Sequence, residues 1–146
     1  MVRKAGVVVV AVLVLGCGNA PPPQIVEVEG VIRLDGKPLK RAEVRFIPAL
    51  DRGPEYLAVG VTDDAGQFRL TCNGRPGACV GANRVLVMES ELPAALKSED
   101  AQAELARYFQ KLGGRPLPQR YANLAESPLT VTVSADRKDY SFDLNR

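Results

Sequence analysis

Three cysteines, Cys17, Cys72 and Cys79, are the residues of this chain best suited to covalent chemistry, and there is no histidine to assist them. Without an imidazole, the Ser-His-Asp and Cys-His arrangements that activate a nucleophile cannot be assembled, and the commonest zinc ligand is missing. Cys72 and Cys79 bracket Asn73-Gly74 and Pro76-Gly77, two turn signals that let the backbone fold back and bring the sulfurs together. In an exported protein a disulfide is the expected outcome, because such bonds persist outside the cytoplasm. Closing a loop of about eight residues stabilises by roughly 2.5 kcal/mol in the chain-entropy account. The alternatives are two free thiols or half of a metal site, for which no second pair of ligands exists. Asp63-Asp64 ahead of Gly66 suggests a calcium loop but lacks the D-x-D-x-D-G spacing and the distant glutamate, so turn chemistry is expected there. These features call for no cofactor, and no enzymatic activity is expected.

Cys17 stands in a different context. Arg3 and Lys4 precede an apolar block, Ala5 to Leu15, with neither charge nor proline, in the order of an export signal. The block is too short to span ~30 Å of hydrocarbon, which takes about 20 residues. Val14-Leu15-Gly16-Cys17 resembles the lipobox at which a bacterial lipoprotein is cleaved ahead of a diacylated cysteine, although Leu15 is bulkier than the small residue usual there. Residues 1–16 are therefore expected to be a lipoprotein signal peptide, and Cys17 a lipid attachment site. Residues 17–24, with Pro21-Pro22-Pro23, form a linker that prefers extended polyproline geometry. From Cys17 to Ile25 its reach is at most about 25 Å. The folded part is then expected close over a membrane in the cell envelope, and Gly18, not being an aspartate, favours the outer membrane facing the periplasm.

The elements that must position these cysteines read as strands. Val26, Val28, Ile32 and Leu34 alternate with Glu27, Glu29 and Arg33, with Gly30 at an inward position, a period-2 pattern. Asp35-Gly36-Lys37-Pro38 breaks the run, and Ala42, Val44 and Phe46 then point inward until Pro48, so an opening hairpin is expected. Leu57, Val59 and Val61 alternate and suggest a third strand, and Phe68 and Leu70 carry a fourth inward beyond the Asp63–Gly66 turn. Val85 to Met88 is an apolar run typical of a strand buried on both faces. Ser98-Glu99-Asp100 opens a helix over about 98–112, with Ala101, Leu105, Tyr108, Phe109 and Leu112 on one stripe and Gly113-Gly114 ending it. That stripe is expected to cover the chain's own sandwich rather than dock a partner. Tyr121 is expected to pack over the sandwich with its hydroxyl on a backbone group. Leu129 to Val133 and Tyr140 to Leu144 complete seven strands, expected as a C-terminal hairpin. Seven short strands and one helix point to an antiparallel β-sandwich over residues 25–146.

Gly30, Leu34, Asp35, Gly36, Lys37, Pro38 and Leu39, then Val44, Phe46 and Pro48, then Thr62, Asp63, Gly66, Phe68 and Leu70 resemble the motifs of the carboxypeptidase regulatory-like domain. Pro118 to Tyr121 and Ser127 to Val133 resemble its version in small bacterial envelope lipoproteins. The resemblance implies a seven-stranded transthyretin-like (prealbumin/Ig-like) sandwich and no shared catalytic residues. The chain departs from it at Val80-Gly81-Ala82-Asn83, where relatives carry P-G-x-Y, so a core aromatic is missing. Transthyretin-like folds include hydroxyisourate hydrolases, but these rely on histidines and a Tyr-Arg-Gly-Ser end, whereas this chain ends Asp143-Leu144-Asn145-Arg146.

A chain of 146 residues holds one domain. Its 19 basic residues include Arg3 and Lys4, and without these two they equal the 17 acidic residues. A neutral mature chain lacks the basic stripe that nucleic acid requires. The expected function is that of a non-catalytic, lipid-anchored envelope module. Its partners are the membrane through the anchor and an envelope protein or glycan nearby. An accessory domain of a peptidase or secretion complex is the alternative.

Overall fold

The computed structural model describes residues 21–49 and 52–146. The expected signal peptide, Cys17 and the start of the linker lie outside the described residues. Twelve strand segments run in order: β1 (Ile25–Val26), β2 (Glu29–Leu34), β3 (Lys37–Pro38), β4 (Ala42–Pro48), β5 (Ala58–Val61), β6 (Gln67–Arg69), β7 (Thr71–Cys72), β8 (Arg75–Pro76), β9 (Ala78–Cys79), β10 (Gly81–Glu89), β11 (Thr130–Val133) and β12 (Asp139–Leu144). One α-helix, α1 (Gln102–Leu112), follows two short 3-10 turns. Each of the seven expected runs contains a strand, and five two-residue segments take the number past seven.

The strands make a mainly β, sandwich-like arrangement. One sheet runs β11-β10-β4-β5-β7-β8, the second runs β12-β2-β3 with β6 also on β2, and β1 pairs with β9 alone. The pairs are antiparallel except β12 with β2, which run parallel over Asp139↔Glu29 to Leu144↔Leu34. Between the layers Phe46 of β4 meets Phe68 of β6 and Tyr140 and Phe142 of β12, with ring centroids 6.2, 6.4 and 5.8 Å away. Edge-on and tilted rings at this spacing align their quadrupoles favourably, beyond the gain from burial. Ile32, Val44, Phe46, Val85 and Val87 have no exposed surface at all.

Two expectations about neighbours are corrected. β2 and β4 are not a hairpin, because β2 already has β12 on one side and β3 and β6 on the other. What β2 does form is a tight turn with β3 across Asp35-Gly36, both left-handed at φ 50° and 79°, the geometry of a type I′ turn. β11 and β12 are likewise not a hairpin. β11 pairs with β10, β12 crosses to the other sheet, and the Tyr140 hydroxyl accepts from the Ser134 N–H to hold the crossing. In β5, whose inward face the alternation left open, Ala58 is buried and Val61 is 43% exposed. Gly60 faces inward there, because a Cβ would lie 2.2 Å from the Arg69 carbonyl oxygen. Only small residues fit on that face.

The helix is also differently placed from expectation. Ser98 makes no side-chain cap, since the segment starts with a 3-10 turn at Glu99–Ala101 and becomes α-helical at Gln102. Leu105, Tyr108, Phe109 and Leu112 are half-buried and belong to no part of the core cluster. The elements nearest the helix are the 3-10 turns that lead into it.

Candidate functional site

The sandwich has two poles. At one, Glu29 begins β2 and donates its N–H to the Lys138 carbonyl; at the other, Leu34 ends it and the Asp35 N–H reaches the Leu144 carbonyl. The N-terminal segment enters at the first pole, where Arg52 donates to the Pro21 carbonyl at 3.2 Å. There β1 and β9 form a ladder of two pairs, Ile25↔Cys79 and Val26↔Ala78, extended by a bond from the Val80 N–H to the Gln24 carbonyl at 2.8 Å. Gly77 passes so close that a Cβ would sit 1.8 Å from the Val26 carbonyl oxygen, and its φ of 119° is itself left-handed.

Cys72 and Cys79 meet at this pole. Cys72 lies on β7 at the edge region of the large sheet, opposite Ala58 of β5, while Cys79 lies on β9 opposite Ile25. The intervening Asn73-Gly74 turn is left-handed at both residues, φ 49° and 73°, and folds β8 back on β7. Both are buried free thiols, on strands β7 and β9 that lie against each other. The Cys72 S–H also faces the Glu55 carbonyl at 3.7 Å, and Cys79 that of Tyr56 at 3.8 Å. Burial pushes the Cys79 thiol up to about 11, with the neighbouring Cys72 adding to the rise and Arg52 opposing it. Burial raises Cys72 too, against the Cys79 hydrogen bond and the charge of Arg75. Thiols held neutral and out of solvent are poor nucleophiles, the behaviour of structural rather than catalytic cysteines.

The remaining motif residues shape the scaffold. Asp63 caps its own turn, its Oδ1 accepting from the Ala65 and Gln67 N–H groups at 2.9 Å each, while Gly66 donates to the Asp63 carbonyl. Gly30 lies against the Tyr140 carbonyl and the Phe68 ring with no room for a side chain. Pro38 ends β3 on the surface. Tyr121 is 3% exposed, and its hydroxyl donates to the Asn145 carbonyl and accepts from the Asn145 N–H, both at 3.1 Å.

Several residues that sequence reasoning passed over prove structural. Thr62, 1% exposed, accepts the Ala42 N–H on Oγ1 at 2.9 Å. Arg115, buried at the far pole, donates to Glu89 at 2.9 Å and to the Lys40 carbonyl. Asn83, where the aromatic is missing, is buried and donates to the Cys79 and Gly81 carbonyls at 3.0 and 2.9 Å. In the sequence only the departure from the P-G-x-Y pattern marked the position.

On the outer flank, β12, β2 and β6 line an open groove of about 620 Å³ with Glu29, Val31, Gln67, Arg69, Asp139 and Ser141. Glu29 is shared between Arg69 at 3.3 Å and Lys138 at 3.4 Å. Such a lining offers hydrogen bonds and fixed charges rather than an activated nucleophile. Among the described residues no helix is long and apolar enough to cross a membrane. No protein-family profile, curated protein or solved structure matches the chain.

Proposed function

We propose that the chain is a non-catalytic module of the bacterial cell envelope, anchored to a membrane by acyl chains on Cys17. The observation that carries this reading is the order of Arg3-Lys4, the apolar block, Gly16-Cys17 and the proline-rich linker ahead of the first strand. A linker reaching at most about 25 Å holds the pole of β1 and β9 toward the bilayer. The flank groove and the opposite pole then face outward to meet an envelope protein or a glycan. The outer membrane, on its periplasmic side, is the favoured location because Gly18 is not an aspartate.

The architecture we assign is the transthyretin-like sandwich of the carboxypeptidase regulatory-like domain. Support comes from two layers closed on Phe46, Phe68 and Phe142, and from the turns at Asp35-Gly36 and Asp63-Gly66 sitting where the motif has them. A second reading, an accessory domain of a peptidase or secretion complex, draws on the half-buried stripe of α1, which the sandwich core leaves unused. Radiolabelled palmitate should enter the wild-type chain in bacterial cells and not Cys17→Ser. Equal labelling of both, or a soluble mature protein, would reject the anchored module.

A further inference from the structure

The segment that leads to the expected anchor is held to the domain by little. Its strand, β1, has a ladder of two pairs with β9, and β9 is itself only two residues long. A pull on the linker is therefore passed, beyond the Arg52 bond to Pro21, to Ala78, Cys79 and Val80. A ladder this short opens easily, because few hydrogen bonds must break at once and the backbone entropy gained is large. β9 in turn lies against β7 of the large sheet, the strand that carries Cys72.

We infer that Cys72 and Cys79 are an oxidative modification site whose disulfide locks the tether strand to the main sheet. The geometry favours this pair on three counts. Both cysteines are buried on strands that lie against each other, and their sulfurs face the carbonyls of two adjacent residues, Glu55 and Tyr56, so they approach one another from one side. The left-handed Asn73-Gly74 turn already folds the connecting backbone. Asn83 grips the Cys79 carbonyl from the other side, so a bond at Cys79 fixes β9 between β7 and the start of β10.

The oxidant is a disulfide, either a small one such as oxidised glutathione or that of an envelope thiol oxidoreductase. One cysteine loses its proton and attacks an oxidant sulfur, releasing one oxidant thiol and leaving a mixed disulfide. The second cysteine loses its proton and displaces the other oxidant sulfur. One protein S–S bond forms, and two electrons reduce the oxidant to two thiols. Buried thiols held protonated exchange slowly, so the reaction belongs to the chain as it folds, before β1 covers β9. Once closed, the bond is shielded from reductant and serves as a latch rather than a shuttle.

The chemistry needs an oxidising compartment and so rests on export, but its test does not depend on the anchor. Full-length protein is refolded in detergent with mixed oxidised and reduced glutathione, then alkylated and digested with trypsin. Cleavage resists Arg75-Pro76, so one peptide, Leu70 to Arg84, retains both cysteines. The expected result is that this peptide has lost two hydrogens and takes up no alkylating agent. Hydrogen exchange at the Val80 N–H, whose bond to the Gln24 carbonyl reports the tether, should slow about tenfold or more relative to the reduced wild type. The reduced wild type is the comparator, so no variant has to fold. Two alkylated cysteines after refolding would overturn the proposal, and so would a bridge that leaves Val80 exchange unchanged. Failure of palmitate labelling would reject the anchor and leave this result standing.

Discussion

The two poles of the sandwich are held by different means. At the pole of β1 and β9 the closest contacts are of backbone: a two-pair ladder and Gly77 pressed on the Val26 carbonyl, with two sulfurs, the Arg52 bond to Pro21 and the Asn83 bond to Cys79 beside them. At the opposite pole they are charged and polar side chains: Arg115 on Glu89 and Lys40, Arg146 on Asp35 at 3.2 Å, and Tyr121 on the Asn145 backbone. Side-chain clamps have long reach and tolerate small shifts, whereas backbone approaches tolerate none. The pole expected to face the bilayer thus depends on a few residues of particular type, and the outward pole on a network that shares its work. The substitutions below should separate the two.

Phe46 lies between the poles and sets the scale. Phe46→Ala should cost about 3–5 kcal/mol, since it removes a ring with three aromatic neighbours and leaves a cavity. Urea midpoints would measure it, with exchange accelerating at both poles alike. A loss confined to one pole would mean that the sheets do not share one core. At the outward pole, Arg115→Met should cost about 2–4 kcal/mol, because Glu89 keeps a charge with no partner in a half-buried place. The double variant Arg115→Met/Glu89→Met should recover most of the loss. If it does not, the pair holds the return from α1 by geometry rather than by charge.

Gly77→Ala probes the tether pole and should cost about 2–3 kcal/mol, since the new methyl has no room beside Val26 and the left-handed φ adds strain. Its signature is local. Exchange at Val80 should rise far more than at Ala42, whose N–H is held by Thr62 at the other end of β4. Uniform acceleration would erase the contrast between the poles.

How much of this was legible from the sequence follows the same division. Burial parity could be read wherever large apolar residues alternate over five or more positions, as at Ile32, Leu34, Val44 and Phe46, all buried. At β5 alternation left the inward face open: close approach of the Arg69 carbonyl reserves that face for Ala58 and Gly60, and Val61 turns outward. Alternation states which face a residue takes but not which strand lies beside it. Hence β2 with β4, and β11 with β12, looked like hairpins although each pair divides between the sheets. At the candidate site the sequence brought Cys72 and Cys79 together through their turn residues. It was silent on β1 and β9, whose two-residue strands are too short for any period, and on Gly77, whose role appears only when Val26 is seen beside it. The side-chain clamps at Arg115 and Thr62 were equally hidden, since their partners lie 26 and 20 residues away.

The smallest expected effect is a pH dependence confined to the reduced protein. Cys79 is raised to about 11 and Cys72 is raised as well, chiefly by burial, while Arg52 and Arg75 oppose the shift from the facing loop and from β8. In the unfolded chain these thiols ionise near their ordinary value of about 8.5. Below that pH both states keep their protons, and the thiols' contribution to stability is fully present. Between about 9 and 11 the unfolded chain gives up protons that the folded chain retains, so stability falls as pH rises, and the fall ends once the folded thiols ionise too. Disulfide-bonded protein has no thiols to titrate at these positions, while Tyr56, the lysines and every other alkaline group are common to both forms. Urea midpoints of the reduced and oxidised chains, measured side by side across this range, should therefore diverge as pH rises. Parallel curves would mean that the sulfurs are open to water when reduced, so that the tether pole is already loose before any force reaches it.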